Sequence, residues 1–163
     1  MSYESTVIAD LAAPAAEAAR REFLTCRLND ETYGIDILKV QEIRQIDHVT
    51  RVAKVARHVR GVVNLRGEIV PIVDLALLFG FPQPLPLKDA SVIVLKVDGR
   101  LVGLAVSSVS DVMGLADEEI LPAPELGDRS IANAISGIGS RDGVSLLLLD
   151  VDQLLKRVRE ERE

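Results

Sequence analysis

Three aspartates, Asp36, Asp74 and Asp150, are the residues of this 163-residue chain that could form an acid/base set. Paired carboxylates can divide a proton transfer, one acting as acid and the other as base. Asp74 and Asp150, however, each follow an apolar strand-like run and precede a helix-like one, so N-capping accounts for both. The two histidines, His48 and His58, stand on either side of a basic segment with no cysteine or carboxylate at ligand spacing. Cys26, the single cysteine, falls on the aliphatic face of a predicted strand and is most simply a small core residue. One cysteine excludes an internal disulfide and fits a reducing compartment. The sequence has no GxGxxG after a strand, no GxxxxGK[ST], no HExxH and no GxSxG. No catalytic residue, metal site or cofactor is predicted, and the chain is not expected to be an enzyme.

The elements that must position any site are written twice. Residues 61–78, GVVNLRGEIVPIVDLALL, recur in outline at 137–154, GIGSRDGVSLLLLDVDQL, at an offset of 76. Gly61 falls on Gly137, Gly67 on Gly143 and Asp74 on Asp150. Upstream, YGIDILKVQEI at 33–43 matches VGLAVSSVSDV at 102–112 at an offset of 69, pairing Val40 with Val109 and Glu42 with Asp111. Units of about 60 residues are marginal folders alone, so two halves sharing an interface make physical sense. A feature present in both copies is a demand of the fold; a feature in one copy is a candidate for function.

Alternating apolar residues and two-residue turns predict strands over 23–28, 32–36, 62–65, 68–73, 91–97, 101–106 and 144–149. Asn29-Asp30 turns the first hairpin, and Arg66-Gly67, Asp98-Gly99 and Asp142-Gly143 turn three more, with glycine where positive φ is cheap. Pro71 cannot donate to a ladder, which predicts an edge or a bulge there. Ile37, Val40 and Ile43, three apart, suit a short helix or a strand switching faces. Residues 48–52 suggest a further strand and 55–60 a short helix. The expected architecture is mainly β, two small barrels with short helices and a C-terminal helix. The expected division is a flexible lead at 1–22, a first barrel at 23–80, a proline-rich linker at 81–90, a second barrel at 91–155 and a charged tail at 156–163. The last helix is free to pack on the first barrel.

Arg66 breaks the repeat. Its counterpart is Asp142, better suited to a turn, so geometry does not call for arginine. It sets a five-donor fork at a hairpin tip beside Asn64, either as an ordinary solvated side chain or as an interaction anchor. Val40, Ile43, Val109 and Val112 are related by the repeat; they are either core or the walls of an apolar groove at the seam between halves.

Charge is uneven. Residues 39–66 hold seven basic side chains against two acidic, whereas 98–128 hold seven acidic against one basic. Solvated surface explains this, as do opposite-sign faces for different macromolecules. A net charge of −6 with five aromatic residues suits nucleic acid poorly. No signal peptide and no stretch of about 18 apolar residues is visible, so neither export nor membrane insertion is expected.

YGIDILKVQEIRQ at 33–45, VTRVAK at 49–54, GVVNLRGEIVPIVDL at 61–75, GLAVSSVSDVMGL at 103–115 and ILPAPE at 120–125 closely resemble signature segments of the CheW-like family of chemotaxis coupling proteins. The resemblance runs from about Phe23 to Leu155. It implies a non-catalytic cytoplasmic adaptor of two intertwined five-stranded barrels. Such an adaptor joins the cytoplasmic tip of a chemoreceptor (a methyl-accepting chemotaxis protein) to the regulatory domain of the histidine kinase CheA within membrane-associated arrays. By motif, Arg66 matches a residue for receptor and kinase coupling, and Val40, Glu42, Gly61 and Val112 match receptor contacts. Asn64 and Val109 join the receptor-binding set as their neighbours, and Ile43 joins Arg66 in the kinase-binding set. VARHVRGV at 55–62, which lacks a proline often seen there, and the alanine-rich lead depart from the pattern. Both departures leave open a specialised (non-chemotaxis) chemosensory pathway; a fragment of a larger fused protein is the other alternative.

Overall fold

The structure, a computed structural model, describes residues 20–46, 48–123 and 134–162. The lead expected at 1–22 lies outside them up to residue 19, and Arg21 and Glu22 already belong to the first strand. β1 (Arg21–Leu28) and β2 (Glu31–Asp36) form a hairpin, followed by a 3-10 turn at Ile37–Lys39 and β3 (Val40–Arg44). β4 (Val59–Leu65) and β5 (Glu68–Asp74) form the next hairpin, which ends in α1 (Leu75–Leu78). The second copy repeats the plan with β6 (Ser91–Val97), β7 (Arg100–Val106) and β8 (Ser108–Leu115). A 3-10 turn at Asp117–Glu119 and the short β9 (Ile120–Pro122) precede β10 (Ile135–Arg141), β11 (Val144–Leu149) and α2 (Val151–Arg162).

The three predicted hairpin turns that contain glycine are all of the I′ kind. Arg66, Asp98 and Asp142 share a φ of 52°, and the glycine after each is also positive. The shared φ at Arg66 and Asp142 shows that the turn itself does not call for arginine.

The strands do not sort by sequence into 23–80 and 91–155. One sheet runs β8-β1-β2-β11-β10-β9 and the other β3-β6-β7-β5-β4. Each takes its leading hairpin from one copy and its other strands from the other copy. The reason lies in the two parallel ladders, β2 with β11 and β5 with β7. Parallel neighbours cannot be joined by a tight turn, so each hairpin finds its parallel partner in the other repeat. The architecture is mainly β and intertwined, as expected; β9 makes one sheet six-stranded rather than five. Its counterpart in the other sheet is a lone bridge, Thr50 with Val62, whose two backbone hydrogen bonds measure 2.9 and 2.8 Å. That bridge is all that forms of the strand expected over 48–52, and 55–60 is turn and strand rather than helix. Pro71 sits in an interior strand, tolerated because the parallel ladder begins one residue later, at Ile72.

A single apolar cluster spans both sheets, with Leu24, Cys26 and Ile35 from one and Ile72, Val92 and Leu104 from the other. The proline-rich segment is fastened to it rather than loose. Asp74, fully buried, accepts from Leu77 N at 3.2 Å as the cap of α1. Its other oxygen accepts from Leu85 N at 2.9 Å and Arg60 Nη1 at 2.8 Å. Arg60 also donates to Leu85 O, and Arg57 to Pro82 O, each at 2.7 Å. At the C-terminal end α2 continues through the expected tail, burying Val151, Leu154 and Leu155. Lys39 Nζ meets Asp152 Oδ2 at 3.3 Å, linking α2 to the turn after β2.

Candidate docking site

The site begins with a bulge. Between Val40 and Glu42 the register of β3 against β6 slips by one residue, which re-aims the side chains that follow. Glu42 turns inward and is buried, although it is a carboxylate on an edge strand. A buried charge needs partners. Opposite it in the ladder stands Val94, whose side chain has nothing to donate. Two guanidiniums serve instead. Arg44, two residues on and so on the same side of the strand, donates through Nη1 to Glu42 Oε1 at 3.1 Å. Arg66 Nη2 donates to Oε2 from the β4–β5 turn.

β3 and β4 are the two ends of their sheet, so the Arg66–Glu42 pair ties its open edges together. Asn64 Oδ1 accepts from Gly67 N at 2.8 Å, which stiffens the same turn. The Arg66 side chain nevertheless remains 69% exposed, against 8% for Glu42. Burial alone would raise the Glu42 pKa. The hydrogen bonds and charges of Arg66 and then Arg44 outweigh it and hold the carboxyl below the ordinary 4.5. Between this turn and the Asp98-Gly99 turn lies an open recess of about 230 Å³, walled in part by Gln41, Arg66, Glu68 and Lys96.

Glu42, Asn64 and Arg66 thus come together. Val40 and Ile43 lie on β3 beside them, half-buried against the core. Val109 and Val112 are half-buried in the same way, but on β8, the edge strand of the other sheet. Gly61 answers to the fold. Its φ is +149°, and a Cβ there would come within 2.4 Å of the Thr50 carbonyl oxygen. Gly137, its duplicate, faces Leu121 O in the same way, at 2.7 Å. Arg44 is the residue the sequence reading missed; its two-residue spacing from Glu42 on one strand was the available signal.

The other residues with chemical potential are accounted for by structure. Asp36 caps the first 3-10 turn through Leu38 N at 3.0 Å, and Asp150 caps α2 through Gln153 N at 3.1 Å. Burial pushes the Cys26 thiol up to about 12, which leaves it inert. Among the described residues no group of His, Cys, Asp or Glu could hold a metal, and no helix is long and apolar enough to cross a membrane.

A CheW-like domain model matches residues 22–159. The chain belongs to the CheW family. A chemotaxis protein CheW from Klebsiella aerogenes is 45% identical over 141 residues, covering 86% of this chain and 85% of that one. One from Rhizobium meliloti is 34% identical, covering 88% and 91%. Among solved structures, the scaffolding protein TtCheW from Thermoanaerobacter tengcongensis superposes with a TM-score of 0.74 at 27% identity, covering 80% of this chain and 89% of its own. CheW membership makes this a non-catalytic chemotaxis scaffold.

Proposed function

We propose that this CheW-family scaffold joins the cytoplasmic tip of a chemoreceptor to the regulatory domain of the histidine kinase CheA, in the cytoplasm at receptor arrays. The observation that carries this is Arg66, an exposed guanidinium on a rigid I′ turn, oriented by a buried carboxylate. A positioned arginine loses little freedom on meeting a partner carboxylate or carbonyl, which makes it a strong anchor. Val40, Asn64, Val109 and Val112 complete the receptor-binding set with Glu42, which acts by holding Arg66. Ile43 joins Arg66 toward the kinase. Gly61 contributes by letting the chain at Thr50 approach β4. Receptor state reaches the kinase because it alters the free energy of this shared geometry.

Co-sedimentation with receptor-bearing membranes and kinase tests the reading. Arg66→Ala should weaken assembly about tenfold or more and melt within a few degrees of the parent. Asp142→Ala, at the same turn of the other copy, should leave assembly nearly unchanged. Full coupling by Arg66→Ala, or equal loss at both turns, would refute the proposal.

A further inference from the structure

Arg44 stands outside the docking set described so far, and its role rests on Arg66 being the anchor. Glu42 links the two arginines: Arg44 holds one carboxylate oxygen and Arg66 the other. The repeat shows that the fold does not require this. At the equivalent bulge Asp111 stands opposite Thr25, whose hydroxyl donates to Asp111 Oδ1 at 2.9 Å and accepts from Asp111 N at 3.2 Å. Arg44 is replaced there by Met113, and Arg66 by Asp142.

We infer that Arg44 is a positioning residue for docking: it fixes the Glu42 carboxylate, which in turn aims Arg66 at the partner. The physical case has three steps. A carboxylate with 8% of its side chain exposed is poorly solvated, so its charge and its rotamer depend on the cations beside it. Val94 supplies no hydrogen bond of the kind Thr25 gives Asp111, so Arg44 takes that part. With Oε1 occupied by Arg44, the direction of Oε2 is fixed, and Oε2 is where Arg66 is held. Without Arg44 the carboxylate can rotate, and Arg66 must spend its own donors holding it. The anchor then meets its partner with fewer donors and less order.

The test is a double-mutant cycle on assembly with receptor-bearing membranes and kinase. Arg44→Met copies the residue that the same fold carries at 113. It should weaken assembly about threefold to tenfold alone, and have no further effect in an Arg66→Ala background. Arg44→Lys, which keeps the charge, should recover part of the loss. An equal loss from Arg44→Met in both backgrounds would mean a general structural role and overturn the inference. So would full assembly by Arg44→Met in the parent while Arg66→Ala fails. If Arg66→Ala itself couples normally, the fault lies instead with Arg66 as anchor, which separates the two failures. Should Arg44→Met fold poorly, Arg44→Gln carries the same cycle.

Discussion

Glu42 and Asp111 follow the same bulge on equivalent edge strands, β3 and β8, yet their surroundings have nothing in common. Glu42 is buried between two guanidiniums, one of them reaching over from a hairpin tip; Asp111 is exposed and meets a threonine hydroxyl. The tie between hairpin tip and edge strand exists in both sheets, since Arg141 Nη1 donates to Gly114 O on β8 at 2.7 Å. Closing the sheet therefore needs a donor but not a buried ion pair. One copy has gone further than closure requires, and the excess chemistry, Glu42 with Arg44 and Arg66, is concentrated at one corner. That is the pattern expected of a scaffold whose two halves share a fold and differ in what they hold.

The caps offer the sharpest way to break this contrast. Asp74 and Asp150 are equivalent, but Asp74 also carries Arg60 and the backbone of Leu85. Asp74→Ala leaves Arg60 without its carboxylate and removes one of the ties on the proline-rich segment. It should cost about 3–5 kcal/mol in urea unfolding, whereas Asp150→Ala should cost about 1 kcal/mol, the loss of a cap. Matching losses would mean the extra contacts of Asp74 contribute nothing.

The bulge glycines come next. Gly61→Ala meets a backbone carbonyl oxygen at 2.4 Å in a left-handed conformation, Gly137→Ala one at 2.7 Å without that backbone cost. The first should lose about 2–4 kcal/mol and the second clearly less. Thermal melting of the two variants side by side decides it. If Gly61→Ala melts like the parent and still fails to couple, Gly61 is a contact residue after all and not a demand of the fold.

What could be read from the sequence follows from where information is local. The hairpins were legible because Asp-Gly and Arg-Gly dipeptides between apolar runs fix the turn type, and the caps because Asp74 and Asp150 precede helical spacing. The repeat exposed Arg66, since a duplicate that does without arginine at the same turn is a control no single copy offers. The exchange of strands between halves was not legible in the spacing. A parallel ladder such as β2 with β11 leaves no turn residue to mark it, and a boundary drawn at the proline-rich segment looked natural. Its pinning was hidden because it depends on Arg57 and Arg60, each 25 residues from its partner, and on the second oxygen of an aspartate already read as a cap. Arg44 was missed for a related reason. Its importance depends on Glu42 pointing inward, which the bulge decides and the alternation of residues does not.

The smallest expected effect tests whether charge is what matters at that corner. The folded Glu42 carboxyl titrates below the ordinary 4.5, so it binds its proton less readily folded than unfolded. Its contribution to stability is therefore complete above that ordinary value and is lost as pH falls through the lower folded one. Glu42→Gln removes the charge at every pH. The variant should be less stable than the parent by about 1–2 kcal/mol at neutral pH, and the gap should close on acidification, because a protonated glutamate offers the arginines little more than an amide does. Urea unfolding of both proteins from pH 7 down to pH 3 (about one pH unit per step) follows the gap directly. A gap that persists in acid would trace to shape and packing around Glu42, and would leave two arginines gathered at a carboxylate whose charge the fold does not use.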